Sequence, residues 1–359
     1  MKIGFVGAGN IARAHMETFA RLQEESSEEG MVELAGLADI DPAAAAACAE
    51  KFGIGRVYRS AEELIAGNDI EALVIAVPNR WHAPFAVAAL EAGKHVLLEK
   101  PMGVGLAAAR QIYETQQRTG HTLMIAHQFR WCWWAKAMEE RCRAGSLGEI
   151  YHARTGWMRR KGIPAWGTWF TQKEISGGGP LIDLGVHMLD VALHLMGNPR
   201  PVRVSGLTTA KFGPKQKGIG RWGTPDFDGT FDVEDFATAL VRLEGGRTLS
   251  LDVSWAAHVD RPKEYVELLG EEAGLSYDGD KLKMLTEREG ETHDEVIGPP
   301  ATDERYEMTL EFLAAIRAGR QPACHAYSGL VNNSILDAIY RSSELGCEVE
   351  IELPDAPAI

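Results

Sequence analysis

The chain has 359 residues, of which 45% are hydrophobic and 25% are charged, so its composition is that of a globular protein and its length predicts two domains. The formal net charge of −14 argues against a nucleic-acid or anionic-membrane partner, because both need clustered Lys and Arg side chains. The five cysteines form no Cys-x-x-Cys pair, and no signal-peptide pattern or membrane-spanning apolar run is found. We therefore expect a cytoplasmic protein with neither disulfides nor a zinc ribbon.

The first 126 residues alternate between short apolar runs and helical patterns. The apolar runs predict five buried strands, at 2–6, 32–38, 72–77, 95–98 and 122–126. Helical spacing is found at 11–23, 42–52, from 64 onward, at 83–91 and at 105–119. An acidic loop at 24–30 separates the first helix from the second strand. This alternation is typical of a parallel sheet with helices on both faces.

The pattern changes after residue 126. Helices are predicted at about 134–144, 180–196 and 328–345. Strand-like runs are found near 150–158, 201–210, 234–243, 247–256, 263–270 and 273–277. Because few helices separate these runs, they favour an antiparallel or mixed sheet. We predict an α/β Rossmann domain over 1–126, followed by an α+β domain over 127–359.

A glycine-rich loop, Gly7-Ala8-Gly9-Asn10-Ile11-Ala12, joins the first predicted strand to the first helix. Gly7 permits a tight turn, Gly9 lets the backbone approach a pyrophosphate, and the small residue at position 12 lets helix and strand pack closely. Free N–H groups at the start of a helix attract such an anion. The loop predicts a bound dinucleotide that contacts Gly7, Gly9, Asn10 and Ile11, with a plain α/β turn as the alternative.

Asp39 ends the second predicted strand, where an acidic residue can accept hydrogen bonds from the adenosine ribose. Its position is later than usual because the acidic loop is inserted before it. Against the 2′-phosphate of NADP it would place two negative charges about 4 Å apart, which costs on the order of 1–4 kcal/mol. Asp39 therefore predicts NAD rather than NADP, whereas Asp41, next to Pro42, is better explained as a helix cap.

Three further motifs follow in order: Pro78-Asn79-x-x-His82, then Glu99-Lys100-Pro101 after an apolar strand, and then a glycine-rich segment from Gly177 to His187. Together they resemble the Gfo/Idh/MocA oxidoreductases over essentially the whole chain. The resemblance implies a Rossmann domain followed by a domain with a large, mostly antiparallel sheet. It also implies a homodimer or homotetramer built on the open face of that sheet, and substrates among the sugars, cyclitols and their derivatives.

Three residues are predicted to be catalytic. Lys100 follows the carboxyl end of a parallel strand, where ligands bind, and the resemblance implies that it contacts both the cofactor and the reacting hydroxyl. Asp183 and His187 are four residues apart in a predicted helix, so they share a face. The carboxylate can orient the imidazole, which can accept a proton, and the resemblance gives both residues catalytic roles. The sequence leaves open whether Lys100 or His187 accepts the proton first.

Other site residues are predicted from the motifs and from side-chain type. The expected further cofactor contacts are Pro78, Asn79, His82, Glu99, Lys100 and Gln128. Aromatic and guanidinium groups suit sugar binding, so the expected substrate contacts are Arg130, Arg159, Trp166 and Trp169. For the two tryptophans, packing inside the domain is the alternative.

A metal site is a formal alternative, because Asp190 and His194 continue the stripe that begins at Asp183 and His187. The stripe would span about 16 Å of helix at 1.5 Å per residue. One ion cannot bridge that length, so no metal is expected and Asp190 and His194 are interpreted as structural.

The leading hypothesis is an NAD-dependent oxidoreductase that transfers hydride between a secondary alcohol of a sugar, glycoside or cyclitol and the nicotinamide. A second is a glycoside-cleaving enzyme that uses bound NAD transiently and shows no net NADH formation. A third is a non-catalytic, NAD-responsive, sugar-binding regulator, which the presence of Lys100, Asp183 and His187 disfavours. The sequence does not name the sugar, the carbon oxidised or the physiological direction.

Overall fold

The computed structural model describes residues 1–25, 32–299 and 302–354, which form two compact units. The first unit comprises the described residues up to Gln128 together with Asp303–Leu330. The second comprises the described residues of Phe129–Thr302 and those from Val331 onward. Most of the predicted acidic loop at 24–30 lies outside the described residues. Among the described helices, none has the length and apolarity needed to cross a membrane.

The first unit contains a six-stranded sheet in the order β3-β2-β1-β4-β5-β6. All of its neighbouring strands are parallel. The strands are β1 (Lys2–Val6), β2 (Glu33–Ala38), β3 (Arg56–Val57), β4 (Ala72–Ile75), β5 (His95–Leu98) and β6 (Leu123–Ile125). The order reverses between β1 and β4, which is the crevice where open α/β sheets bind their ligands. The predicted Rossmann architecture is confirmed, with β3 as an additional strand of two residues.

Ten α-helices are found in the described parts of the chain. They are α1 (Asn10–Glu25), α2 (Pro42–Phe52), α3 (Ala61–Ile65), α4 (His82–Glu91), α5 (Gly105–Thr119), α6 (Trp133–Arg143), α7 (Lys173–Ser176), α8 (Val186–Leu195), α9 (Glu304–Ala318) and α10 (Ala326–Leu345). Asp41 caps α2 as expected, since its carboxylate accepts hydrogen bonds from the N–H groups of Ala43 and Ala44.

Helix α9 explains why residues 303–330 belong to the first unit, although the sequence prediction kept them in the second domain. The helix packs against α1. Arg21 on α1 forms an ion pair with Asp303 at 2.7 Å, and the Tyr306 hydroxyl donates to Glu25 at 2.7 Å. The chain therefore returns to its first unit, a long-range arrangement that no local sequence pattern encodes.

The second unit contains a nine-stranded sheet in the order β14-β13-β12-β11-β7-β10-β9-β8-β15. The strands are β7 (Ile150–Met158), β8 (Pro201–Thr209), β9 (Phe236–Leu243), β10 (Thr248–Ser254), β11 (Lys263–Gly270), β12 (Gly274–Tyr277), β13 (Leu282–Arg288), β14 (Glu291–Ile297) and β15 (Val349–Glu350). Only the pair β7–β10 is parallel, so the predicted, mostly antiparallel sheet is confirmed. Helix α8 packs on β7 and β10, and the fully buried Trp255 belongs to the core beneath it.

Candidate active site

The glycine loop has the geometry that its sequence predicts. Gly7 has a φ of +108°, and a Cβ atom there would collide with the carbonyl oxygen of Ala76. Gly9 is exposed, and a Cβ atom there would meet nothing within 4 Å. Helix α1 begins directly afterwards, at Asn10, so a ligand can reach the free N–H groups of its first turn. The loop therefore fits the pyrophosphate of a dinucleotide.

Asp39 follows β2 and is half-buried beside this loop. Its Oδ2 accepts a hydrogen bond from the Ala8 N–H at 2.6 Å, and its Oδ1 accepts one from the Asp41 N–H at 2.8 Å. These contacts fix the carboxylate, and each oxygen keeps a second lone pair for another donor. The next side chain, Ile40, is fully exposed. An anchored carboxylate and an exposed apolar side chain together fit a ribose and an adenine.

His82 starts α4 and is fully buried. Its Nδ1 lies 2.7 Å from the Pro101 carbonyl oxygen, and its Nε2 lies 3.0 Å from the Val77 carbonyl oxygen. Burial lowers the pKa of the ring. The His82 ring thus lies between the ends of β4 and β5, where its N–H can donate to one of the two carbonyl oxygens. The predicted contacts Pro78 and Asn79 form the turn just before the helix.

Lys100 is half-buried just past the carboxyl end of β5, and the Lys100–Pro101 peptide bond is cis. The side chain of Glu99 points into the unit instead of toward solvent. Its Oε1 lies 2.8 Å from the Nε2 of His15, and its Oε2 accepts the Lys100 N–H at 3.2 Å. Gln128 lies farther along, in a 3₁₀ turn after β6. The glycine loop, Asp39 and Lys100 all follow carboxyl ends of parallel strands, which meet at one edge of the sheet.

The segment before Asp183 is held by close backbone contacts. A Cβ atom at Gly178 would collide with the hydroxyl of Tyr340, and one at Gly179 with the carbonyl oxygen of Glu234. The Glu234 carboxylate accepts the Leu181 N–H at 3.0 Å and the Tyr340 hydroxyl at 3.0 Å. The two glycines therefore allow a buried carboxylate to fix the start of the helical segment.

Asp183 lies in a π-helical turn, Leu181–Gly185, that leads into α8, whereas the sequence predicted one continuous helix. Its Oδ2 accepts a hydrogen bond from the Trp255 Nε1–H at 3.0 Å. His187 is 5% exposed, and its ring stacks on Phe129 at 4.6 Å with an interplanar angle of 18°. Trp255 and Phe129 therefore hold the two predicted catalytic side chains of this unit.

Arg159 and Glu264 form a half-buried charged pair near Asp183. The Arg159 guanidinium stacks over the Trp157 ring at 4.5 Å, and burial lowers its pKa although Asp183 opposes that shift. Glu264 is directly opposite Trp157 in the β7–β11 register. Burial raises the pKa of Glu264 to about 7, against the opposing charge of Arg159. No sequence motif marks Glu264, since it is one polar residue among the residues of β11.

The structure surrounds two other predicted substrate residues with protein. Arg130 and Asp190 form a bidentate ion pair at 2.7 and 2.6 Å, with only 5% and 1% of their side chains exposed. The Trp166 Nε1–H donates to the Gly213 carbonyl oxygen at 2.8 Å, and the ring is buried. Trp169 is half-buried against Phe170. Among the four predicted substrate contacts, only Arg159 adjoins Asp183 in these interactions.

His194 and Asp190, the outer members of the alternative metal stripe, both lie beside other side chains, and Arg130 NH1 lies 3.5 Å from the Nδ1 of His194. The Nε2 of His194 lies 3.0 Å from Glu139, and Asp190 binds Arg130. Within the described ranges, no group of three or more His, Cys, Asp or Glu residues is arranged to hold a metal ion.

Comparison with known proteins identifies the family. Residues 1–127 match the model of the GFO_IDH_MocA oxidoreductase family, described as an NAD-binding Rossmann fold, and residues 135–276 match the GFO/IDH/MocA C-terminal domain. The D-glucoside 3-dehydrogenase of Escherichia coli (strain K12) is 30% identical over 98% of this chain and 97% of its own length. The levoglucosan dehydrogenase of Pseudarthrobacter phenanthrenivorans is 26% identical over 79% of this chain and 75% of its own length.

Solved structures agree at the level of the fold. A levoglucosan dehydrogenase in complex with NADH and L-sorbose superimposes with a TM-score of 0.86 at 22% identity, covering 98% of this chain and 99% of that one. The two family models, the match to the Escherichia coli protein and the shared fold agree with one another. The chain therefore belongs to the Gfo/Idh/MocA family of oxidoreductases and has that family's NAD-binding Rossmann fold.

Proposed function

We propose that this protein is an NAD-dependent dehydrogenase that oxidises a secondary alcohol of a sugar, glycoside or cyclitol. The observation that carries the proposal is the anchored Lys100 at the carboxyl end of β5, the sheet edge that also bears the glycine loop and Asp39. The relatives named above support the substrate class, because one is a glucoside dehydrogenase and another a levoglucosan dehydrogenase.

NAD is the proposed cofactor, and Asp39 is the residue that selects it. Gly7, Gly9, Asn10 and Ile11 would meet the pyrophosphate, and the fixed carboxylate of Asp39 would accept hydrogen bonds from the ribose. The 2′-phosphate of NADP would lie near that carboxylate and be repelled by roughly 1–4 kcal/mol. When bound, NAD supplies the hydride acceptor.

Lys100, Asp183 and His187 are the proposed catalytic residues. Oxidation of a secondary alcohol breaks its C–H and O–H bonds, giving a carbonyl group, a hydride for the cofactor and a proton for a basic side chain. The Lys100 amine binds and polarises the hydroxyl, the His187 imidazole accepts a proton at a ring nitrogen, and Asp183 stabilises the resulting cation. Comparing the pH–rate profile of His187→Asn with that of the wild type tests whether His187 is the proton acceptor, because a variant that lacks the acceptor loses the alkaline rise in rate.

The proposed substrate contacts are Arg159 and Glu264, a half-buried charged pair near Asp183. A guanidinium and a carboxylate can bind a polyol through several hydrogen bonds, since one donates and the other accepts. We assign Arg130 and Trp166 to structural roles because their polar groups already contact protein atoms.

We also propose a homo-oligomer in the cytoplasm. The register of β8 and β9 places Leu207 and Leu240 on one sheet face, and both side chains are exposed. A second copy would cover this face, and Leu240→Asp would then lower the molar mass measured by light scattering toward that of a monomer. None of the five cysteines, all of which lie in the described residues, is in a disulfide, which is consistent with a reducing compartment.

A panel of sugars, glycosides and cyclitols with NAD and NADP tests the function. We expect NADH to form with at least one glycoside and NADPH to form far more slowly. Consumption of a glycoside without net NADH would instead indicate cleavage through transient oxidation. NAD binding with no conversion of any compound would indicate a regulator and would reject the proposed function.

A further inference from the structure

Three ionisable side chains meet inside the first unit at the carboxyl end of β5. The Nε2 of His15 lies 2.8 Å from Glu99 Oε1. Arg305 NH1 lies 3.3 Å from the same nitrogen and 3.8 Å from the same oxygen. His15 is fully buried, and Glu99 and Arg305 are largely buried. Buried charges are destabilising unless they are paired, so removing one of these three side chains would weaken the pairing of the other two.

Opposite charges meet in the cluster. Burial acts to raise the pKa of Glu99, but the hydrogen bond with His15 and the charges of His15, Arg305 and Lys100 outweigh burial and hold that pKa at about 2. Burial lowers the pKa of His15. At neutral pH, Glu99 is therefore an anion, and the Arg305 guanidinium supplies an opposite charge beside it.

The cluster connects three elements. His15 is on α1, the helix that begins at the glycine loop, and Arg305 is on α9, which belongs to the part of the chain that returns to this unit. Glu99 accepts the backbone N–H of Lys100, while His82 contacts the carbonyl oxygen of Pro101 on the other side. The backbone is therefore held both before and after Lys100.

We propose that His15 and Arg305 are positioning residues that act through Glu99 to hold Lys100 in a fixed relation to the glycine loop. The inference rests on the proposed catalytic role of Lys100. It assigns Glu99, which the sequence predicted to contact the cofactor, to an inward-facing role. Positioning of this kind matters because a displacement of about 1 Å at a reacting group can cost on the order of 100-fold in rate.

The test compares disruptive with conservative variants. His15→Leu and Arg305→Met remove the polar contacts to Glu99, whereas His15→Gln and Arg305→Lys keep an N–H donor. We expect the disruptive variants to lower kcat by about tenfold or more while the Kd for NAD changes by less than about threefold. The conservative variants should recover most of kcat. If His15→Leu does not fold, Arg305→Met gives the comparison, because the Arg305 side chain is the more exposed of the two.

Lys94→Met is the matched control. Lys94 is a buried cation at the amino end of β5, where its Nζ donates to the carbonyl oxygens of Gly67 and Ile70 at 2.7 Å each. This variant should lower Tm but leave kcat unchanged below the transition. If His15→Leu and Arg305→Met behave in the same way, their role is structural only and the inference is overturned.

Variants made together with Lys100→Met distinguish failure of the positioning network from failure of the proposed function. If Lys100 is catalytic, Lys100→Met removes turnover and adding His15→Leu changes the residual rate no further. Wild-type turnover in Lys100→Met would reject the catalytic role of Lys100. Loss of turnover in Lys100→Met, with full kcat in His15→Leu and Arg305→Met, would reject the positioning network alone.

Discussion

A substitution in the buried ion pair between Arg130 and Asp190 tests whether Arg130 has a structural role or binds the substrate. The guanidinium Nε and NH2 donate to the two carboxylate oxygens at 2.7 and 2.6 Å, and Asn332 donates to the same carboxylate at 2.9 Å. Arg130→Met removes the cation and fills a similar volume with apolar atoms. The buried Asp190 carboxylate then loses its cationic partner.

The expected loss follows from burial. Breaking a buried ion pair from one side costs about 3–5 kcal/mol. A domain of about 200 residues loses roughly 2–4 °C in Tm for each kcal/mol, so Arg130→Met should lower Tm by roughly 10 °C. The double variant Arg130→Met with Asp190→Leu removes both charges and should recover most of that loss.

Thermal unfolding followed by circular dichroism measures the loss, and initial rates taken well below the transition measure KM. We expect a large fall in Tm with little change in KM for the sugar. An unchanged Tm with a raised KM would refute the structural role and return Arg130 to the substrate contacts that the sequence predicted.

Three further predictions test other parts of the site. Gly7→Ala should weaken NAD binding by about tenfold or more in a fluorescence titration, because a Cβ atom at this positive φ meets Ala76; unchanged affinity would contradict the loop geometry. Trp255→Phe keeps the ring bulk but removes the hydrogen bond to Asp183, so kcat should fall while KM stays close to wild type; an equal rise in KM would indicate a role in substrate binding instead. Glu264 has a pKa raised from 4.5 to about 7, so the folded state holds this proton more tightly than the unfolded state and loses stability as pH rises from about 5 to 8; Glu264→Gln should therefore flatten the fall of Tm over that range, and an unchanged slope would show that Glu264 titrates normally.

Local sequence patterns account for most of the fold. β1 and β4 are apolar because both faces of a parallel sheet are buried, and that makes such strands visible in the sequence. β14 has the sequence ETHDEVI and is exposed along almost all of its length, so it lacks the alternation that would predict a strand. Helix α9 has local signals, an Asp303 cap and a Gly319 end, but its packing on α1 depends on contacts across the chain.

The same distinction between local patterns and contacts across the chain applies to the candidate site. The glycine loop and Asp39 could be predicted because a short stretch of backbone creates their geometry. No local pattern marks His15 as part of the site, since its contacts lie 84 and 290 residues away in the sequence, at Glu99 and Arg305. Residue type alone shows that a side chain can bind a ligand, but tertiary packing decides what it contacts.

The most direct test of the account compares NADH formation by the wild-type protein and by Lys100→Met, using the best glycoside of the panel, with NAD affinity measured on the same samples. We predict steady NADH formation by the wild type, and no measurable turnover by Lys100→Met although it still binds NAD. Near-normal turnover by Lys100→Met would contradict the account, and so would a wild type that binds NAD but forms no NADH with any sugar, glycoside or cyclitol.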